Sequence, residues 1–327
     1  MSDGGHTSEA VADPHTAGTQ TGAAPEAGRA GDDASRAQVW LALGIVYVVW
    51  GSTYLAIRVV VKTMPPLLMS GARFLIAGGI VYLAVRIRRG PSAVRITRAE
   101  MAGAALVGSL LVTGGNGLVM VAEQDVASHL AALIISSVPL WVVLYRRITG
   151  DEIPRATLAS VFVGFAGVAL LFIPGRSGNE GSLVGFLLLC VAAPSWALGT
   201  FLSRKVSLPR DPFASTAFQM IAGGVTSAIA GLAIGEAADT HVSRFSSDSW
   251  LAFGYLIVFG SLIAYTSYVW LLQHAPVSRA ATYAYVNPVI AIFLGWLILD
   301  EHIAGTTLIG AAVIVASVAI TVRKETA

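Results

Sequence analysis

Cysteine is all but missing from this chain: Cys190 is the only one among 327 residues, and it lies inside a hydrophobic run. That excludes a disulfide framework and a cysteine-based metal site. Charge is scarce as well. Asp, Glu, Lys and Arg make up 12% of the residues, about half of the roughly 25% usual in a soluble domain, which excludes an ordinary soluble globular protein. The near-neutral balance of +2, with no Lys/Arg cluster interleaved with aromatics, excludes nucleic acid as a partner. Catalytic signatures are absent too. No Gly-x-x-x-x-Gly-Lys-Ser/Thr loop, His-Glu-x-x-His or Gly-x-Ser-x-Gly occurs, and no Asp falls inside a hydrophobic run. The chain is therefore expected not to be an enzyme and to need neither a metal nor another cofactor.

What the chain has instead is hydrophobic sequence, 55% of the total. Its few charges are unevenly spread. Residues 1–37 carry six acidic and two basic side chains, and the remainder is net +6. Those first 37 residues are mostly Ala, Gly, Thr, Asp and Glu, too poor in large apolar side chains to offset the entropy of ordering, so a disordered cytoplasmic tail is expected. The tail lacks the layout of a signal peptide, and the first hydrophobic run is expected to stay in the mature protein. From Trp40 onward, apolar runs alternate with charged or Gly/Pro punctuation at 40–61, 66–85, 101–121, 126–145, 154–173, 183–203, 213–234, 250–271, 278–299 and 305–322. Each approaches the about 20 residues that a bilayer crossing needs. No polar-faced segments exist that could cover such runs as buried core helices. The expectation is an all-α integral membrane protein with ten transmembrane helices in the cell membrane. Lys and Arg gather on one side of this pattern, sixteen against three (Lys62, Arg176 and Arg244). Because basic residues in short loops mark the cytoplasmic face, both termini are expected there.

An internal repeat accompanies the ten runs. At an offset of 149 residues Gln124 meets Gln273, Ala131-Ala132 meets Ala280-Ala281, Pro139 meets Pro288 and Asp151-Glu152 meets Asp300-Glu301. At 145, Ile76-Ala77-Gly78-Gly79 meets Ile221-Ala222-Gly223-Gly224, and at 146 Trp50 and Arg58 meet Trp196 and Arg204. A repeat of five crossings, an odd number, implies two halves inserted in opposite orientations, 38–174 and 175–327. Inverted halves with a binding site near the midplane are the architecture of secondary transporters.

The residues that could carry transport follow from cost. Arg73 lies seven residues after Pro66, about 10 Å into its crossing, where a charge is expensive and is expected to face the interior and hold an anionic group of a substrate. Glu123 and His129 flank a turn that opens on the same expected vestibule. Pairing with Arg73 would lower the Glu123 pKa, and burial alone would raise it toward a value suited to proton coupling. Pro139 and Pro288 fall mid-crossing at equivalent places in the two halves. Each frees a backbone carbonyl that must be covered by protein or line a cavity, so both are expected to gate the site. Asn287 adds an amide beside Pro288. Trp50 and Tyr54 share a helical face with Arg58, Tyr265 shares one with Ser261 and Tyr268, and Tyr283 precedes Asn287 by one turn. With Asn116 and Trp196 they complete the expected substrate-contacting set.

Several segments together resemble the EamA-type branch of the drug/metabolite transporter superfamily. They are Val49-Trp50-Gly51-Ser52-Thr53-Tyr54, Pro65-Pro66 through Arg73-Phe74, Gly115-Asn116-Gly117 with Val121-Ala122-Glu123, Ser195-Trp196-Ala197, Tyr283-Ala284-Tyr285-Val286-Asn287-Pro288 and Glu301. The resemblance spans about residues 40–322 and implies ten helices in two five-helix repeats and export of small metabolites or drug-like molecules by alternating access. The partners expected are a small-molecule substrate and the lipid bilayer, with a homodimer left open. Two other readings stand beside this one: an uncoupled exchanger or facilitator, and a non-transporting scaffold or receptor that docks through its tail.

Overall fold

The computed structural model describes Met1 and residues 36–171, 181–238 and 240–326. The expected tail lies outside the described residues except for Met1 and for Arg36 and Ala37, which already belong to the first helix. Among the described residues every regular element is helical. Backbone polar groups can be satisfied within such segments without water, as a bilayer interior requires.

Seven helices are long and apolar enough to cross a membrane: α1 (Arg36–Val60), α2 (Pro66–Arg89), α3 (Arg98–Ala122), α4 (Ser128–Ile148), α6 (Leu183–Leu202), α7 (Pro212–Ala233) and α8 (Ser247–His274). Three shorter apolar helices fall on the remaining runs: α5 (Arg155–Leu170), α9 (Tyr283–Leu299) and α10, whose apolar part is Gly305–Ile320. Local chemistry sets their starts. Pro66 occupies the first turn of α2 after an extended Pro65, where a missing N–H costs nothing. Thr97 and Glu100 form a reciprocal capping box on α3, Ser182 caps α6, and Asp211 accepts from the Phe213 and Ala214 amides at the head of α7.

Three crossings are less regular than their sequence runs suggest. The run expected as one helix over 126–145 is broken at Ser136-Ser137, with α-helix on either side, Ser128–Ile135 and Val138–Ile148. Pro139, at the second position of the later piece, has no N–H to carry the ladder across the gap. In α3 and α8 the central turns, Ser109–Gly117 and Leu256–Tyr265, are wound wider with π-type geometry. Such widening recurs at functional sites because it re-aims side chains.

Close packing fixes the framework. α2 lies against α7 at Gly71 and Gly224, where an added Cβ would come within 2.9 Å of Ala228 and of the Leu75 amide, respectively. α5 lies against α10 at Gly164 and Gly167 in the same way. α4 is enclosed on almost every side. Hydrogen bonds between loops define two ends. At one, Arg58 reaches the carbonyls of Glu123 and Gln124, Ser182 reaches Asp125 (3.1 Å), Glu301 reaches Ser128 (2.9 Å) and Glu236 holds the amides of Leu67 and Leu68 (3.0 and 2.8 Å). At the other, Arg89 pairs with Asp211, Arg146 with Asp151 (2.8 Å), Lys205 with Thr149 (3.5 Å) and Arg204 with the Leu272 carbonyl (3.0 Å).

Candidate functional site

Between these ends α1, α2, α3, α4, α6, α8 and α9 line a cavity of about 50 Å³. On one wall stands Arg73, 2% exposed, carried into the bundle by α2. Its Nε donates to Ser261 Oγ (2.7 Å), its Nη1 points at Asn116 Oδ1 (3.4 Å), and its guanidinium carbon lies 4.7 Å above the Phe74 ring. No salt-bridge partner of Arg73 occurs among the described residues. The side chain fits because residue 260 is glycine: a Cβ there would come within 2.7 Å of Nη2. A buried cation held only by neutral dipoles and one ring leaves a positive potential in the cavity.

The facing wall is aromatic. Trp50 meets Trp196 edge to face at 5.3 Å and Tyr283 at 5.2 Å, and Tyr268 at 4.9 Å. Its Nε1 donates to the Gly260 carbonyl (3.2 Å), which ties α1 to the wide turns of α8. Trp196 can lie against α3 because Gly115 has no side chain, since a Cβ there would sit 2.5 Å from the indole. Tyr265 touches Phe74 edge to face at 5.6 Å. Asn287 directs its amide nitrogen at the carbonyls of Tyr47 (3.0 Å) and Tyr283 (3.3 Å) and so joins α9 to α1. All eight residues of the expected substrate set, Trp50, Tyr54, Arg73, Asn116, Trp196, Tyr265, Tyr283 and Asn287, line this one cavity. Thr53, Phe74 and Gly260 line it as well, and sequence reasoning passed over them. The wide turns that carry Gly260 and Ser261 have no mark in composition. About 50 Å³ holds a few water-sized groups and falls well short of a drug-sized ligand.

The expected gating residues lie elsewhere. Pro139 and Pro288 are buried but do not line the cavity, where their neighbours Ile135 and Asn287 do so instead. Glu123 does not share a vestibule with Arg73. It is 0% exposed at the end of α3, and neither carboxylate oxygen has a hydrogen-bond partner among the described residues. Burial, reinforced by the charge of Glu301, pushes its carboxyl well above the ordinary range, against a smaller opposing pull from Arg58. His129, also 0% exposed, places Nδ1 2.6 Å from Glu301 Oε2, while its Nε2 has no partner among the described residues. Glu301 further accepts from the amides of Ser128 (2.9 Å) and His129 (3.4 Å) and from Ser128 Oγ (3.0 Å). Burial works to raise the Glu301 pKa, but His129 and Ser128 hold it below the ordinary range on balance. Glu301 figures in the sequence only as a repeat landmark and as part of the family resemblance, with no role of its own, because its partners lie 172 and 173 residues away.

The chain matches the model of the EamA-like transporter family twice, over residues 38–173 and 183–323. It is 39% identical to YedA, an uncharacterized inner membrane transporter of Escherichia coli K12, over 78% of this chain and 80% of that one. A WAT1-related chloroplastic protein of Arabidopsis thaliana is 28% identical over 84% of this chain and 67% of its own, and the Bacillus subtilis transporter YoaV is 27% identical over 83% and 93%. A solved crystal structure at 22% identity shares the fold, with a TM-score of 0.63 over 88% of this chain and 98% of that one.

Proposed function

Because the chain belongs to the EamA-like transporter family, we propose that it is a secondary transporter of the cell membrane that exports small metabolites or drug-like molecules by alternating access. One observation carries the reading: a buried guanidinium with no carboxylate partner among the described residues lines a cavity inside the helical bundle together with Trp50, Tyr54, Trp196, Tyr265 and Tyr283. Arg73 and Asn116 take a polar, anionic end of the substrate. Trp50, Tyr54, Trp196, Tyr265 and Tyr283 take its apolar body, and Asn287 closes the far side. The cavity is contracted in this conformation and widens in another. The break before Pro139 and the missing backbone donor of Pro288 let the halves rock without losing further backbone bonds.

Ten crossings in two inverted repeats, 38–174 and 175–327, are the frame of this reading. Loops that alternate between two ends support the ten crossings. Wide π-type turns in both α3 and α8, and glycine seams that join α2 to α7 and α5 to α10, support the repeat. The excess of Lys and Arg around 86–98, 146–155 and 204–210 supports cytoplasmic termini, and the inner-membrane relative supports the location.

The test is flux from lipid vesicles carrying the wild type or Arg73→Gln, across a panel of amino acids, nucleosides and cationic dyes. The expected result is selective flux of anionic or zwitterionic compounds, reduced about tenfold or more by the substitution, the scale of one lost charged hydrogen bond. Equal flux from both proteins removes Arg73 from the path, and no flux of any compound sinks the transport reading.

A further inference from the structure

The cavity leaves one buried polar cluster unexplained. Glu123, His129 and Glu301 meet at the end of the bundle where α1 and α3 finish and α4 begins, and all three are buried. Three polar atoms of the cluster, both Glu123 oxygens and His129 Nε2, have no partner among the described residues. A packing role does not account for them, since a buried carboxyl without a donor carries a desolvation cost that a Leu would avoid.

We propose that this cluster is a proton-binding site in which Glu123 carries the exchangeable proton and the His129–Glu301 pair sets its affinity. The proposal rests on the transporter reading for its use and on geometry for its existence. A proton delivered by hydronium to a Glu123 oxygen leaves water behind and converts a carboxylate with no donor among the described residues into a neutral acid, which burial favours. Glu301 cannot take that role. It already accepts from two amides, one hydroxyl and His129 Nδ1, and those donors hold it ionised. Its fixed negative charge makes Glu123 reluctant to ionise. His129 is a positioning residue that clamps Glu301 at 2.6 Å.

The described titratable and charged groups that face Glu123 are few. From α1 come Tyr54, within electrostatic range, and Arg58, bonded to the Glu123 carbonyl. Glu301 acts from the segment behind α9, with His129 of α4 behind it. Asp125 is tied to Ser182 (3.1 Å), and His302 is exposed. Arg58 attracts the ionised form and is outweighed by burial and Glu301. The link to transport runs along one face of α1: Trp50 and Tyr54 line the cavity, and Arg58, one turn on, grips the turn that carries Glu123. Movement of α1 as the cavity fills would therefore shift Arg58 against Glu123 and change its hold on the proton.

The proton site can be tested without knowing the substrate. Infrared difference spectra of the full-length protein in vesicles, titrated from about pH 5 to about pH 9, should show a protonated carboxyl that persists through neutrality and bleaches at alkaline pH. That signal should vanish in Glu123→Gln, shift in frequency in Glu123→Asp, and bleach at lower pH in Glu301→Gln, where the repelling charge is gone. Glu123→Asp keeps the experiment decisive where the Gln variant folds poorly. A wild type with no protonated carboxyl at neutral pH, or an undiminished signal in Glu123→Gln, overturns the proposal. Coupling is read separately: wild-type flux should respond to an imposed pH gradient and Glu123→Gln flux should not. Wild-type flux indifferent to the gradient overturns coupling while leaving transport standing. Absence of all flux counts against the transport reading, and the infrared titration still decides the site.

Discussion

Arg73 and Glu123 sit on opposite sides of the same physical problem, a charge carried into a medium that solvates it poorly. For Arg73 the solution is dipoles and π-electrons: Ser261 accepts from Nε, Asn116 lies 3.4 Å from Nη1, and the Phe74 face lies against the guanidinium. For Glu123 no donor is provided among the described residues, and burial favours the protonated carboxyl. This has a measurable consequence for stability. In the unfolded chain a glutamate ionises near about 4.3, whereas the folded Glu123 holds its proton to higher pH. Stability intact in acid is thus lost as pH rises from the unfolded value through the folded one, at about 1.4 kcal/mol for each pH unit between them. Glu301 acts in the reverse sense. Its depressed value contributes stability above the unfolded pKa that disappears as pH falls through the folded one. Melting of the protein in detergent across pH should therefore give a maximum between two declines. Glu123→Gln should flatten the alkaline decline and Glu301→Gln the acid one. An alkaline decline that is unchanged in Glu123→Gln would assign it to other groups.

Among the elements, α4 depends most on a distant residue. Its N-cap position is Ala127, which offers no side-chain acceptor, and the first-turn amides are supplied by Glu301 instead. Two details of α9 aim that carboxylate. Asp300 adopts a left-handed turn (φ 53°), and Gly295 leaves the space in which Glu301 lies, since a Cβ there would collide with Oε2. Glu301→Ala and Gly295→Ala should both loosen the head of α4, at a cost of about 1–3 kcal/mol. Hydrogen exchange should accelerate at Ser128, His129 and Leu130 while the α2–α7 seam stays protected. The contrast with the sequence is instructive at this scale. Apolar runs and Pro/Gly punctuation placed the helices, because the length and polarity of a membrane helix are properties of a local stretch. The cavity set was legible for a related reason: an Arg, an Asn and several aromatics inside apolar runs are costly unless they face one another. The wide turns of α3 and α8 and the Glu301 clamp on α4 were not legible. The clamp is decided by partners 172 and 173 residues away, and no local pattern encodes it, whereas the break at Ser136-Ser137 follows from the missing N–H of Pro139.

For the whole molecule, two independent asymmetries coincide. Hydrogen bonds collect the loops at 89–98, 146–155, 203–211 and 272–276 at one end and those at 58–67, 123–128, 181–182, 236–249 and 300–301 at the other. The first group holds Arg89, Arg95, Arg98, Arg146, Arg147, Arg155, Arg204, Lys205 and Arg210, and the second holds Arg58, Lys62 and Arg244. The proposed orientation puts the basic end in the cytoplasm, as the positive-inside rule expects, and this can be tested. Because Cys190 is the sole cysteine, its replacement by serine gives a clean background for single cysteines. With a membrane-impermeant maleimide added to intact cells, cysteines at Lys62, His241 and His302 should label, and cysteines at Arg95, Glu152 and Arg210 should label only after the membrane is opened. All six positions are exposed, so failure to label reports the bilayer and not burial within the protein. The pattern discriminates sharply because it alternates along the chain. A missing crossing inverts every site beyond it, and an inverted molecule exchanges the two groups completely. Glu152 is the informative position. It is the repeat counterpart of Glu301 and is exposed where Glu301 is buried, so labelling at 152 from the cytoplasmic side alone would place the two acidic landmarks on opposite faces, as inverted halves require.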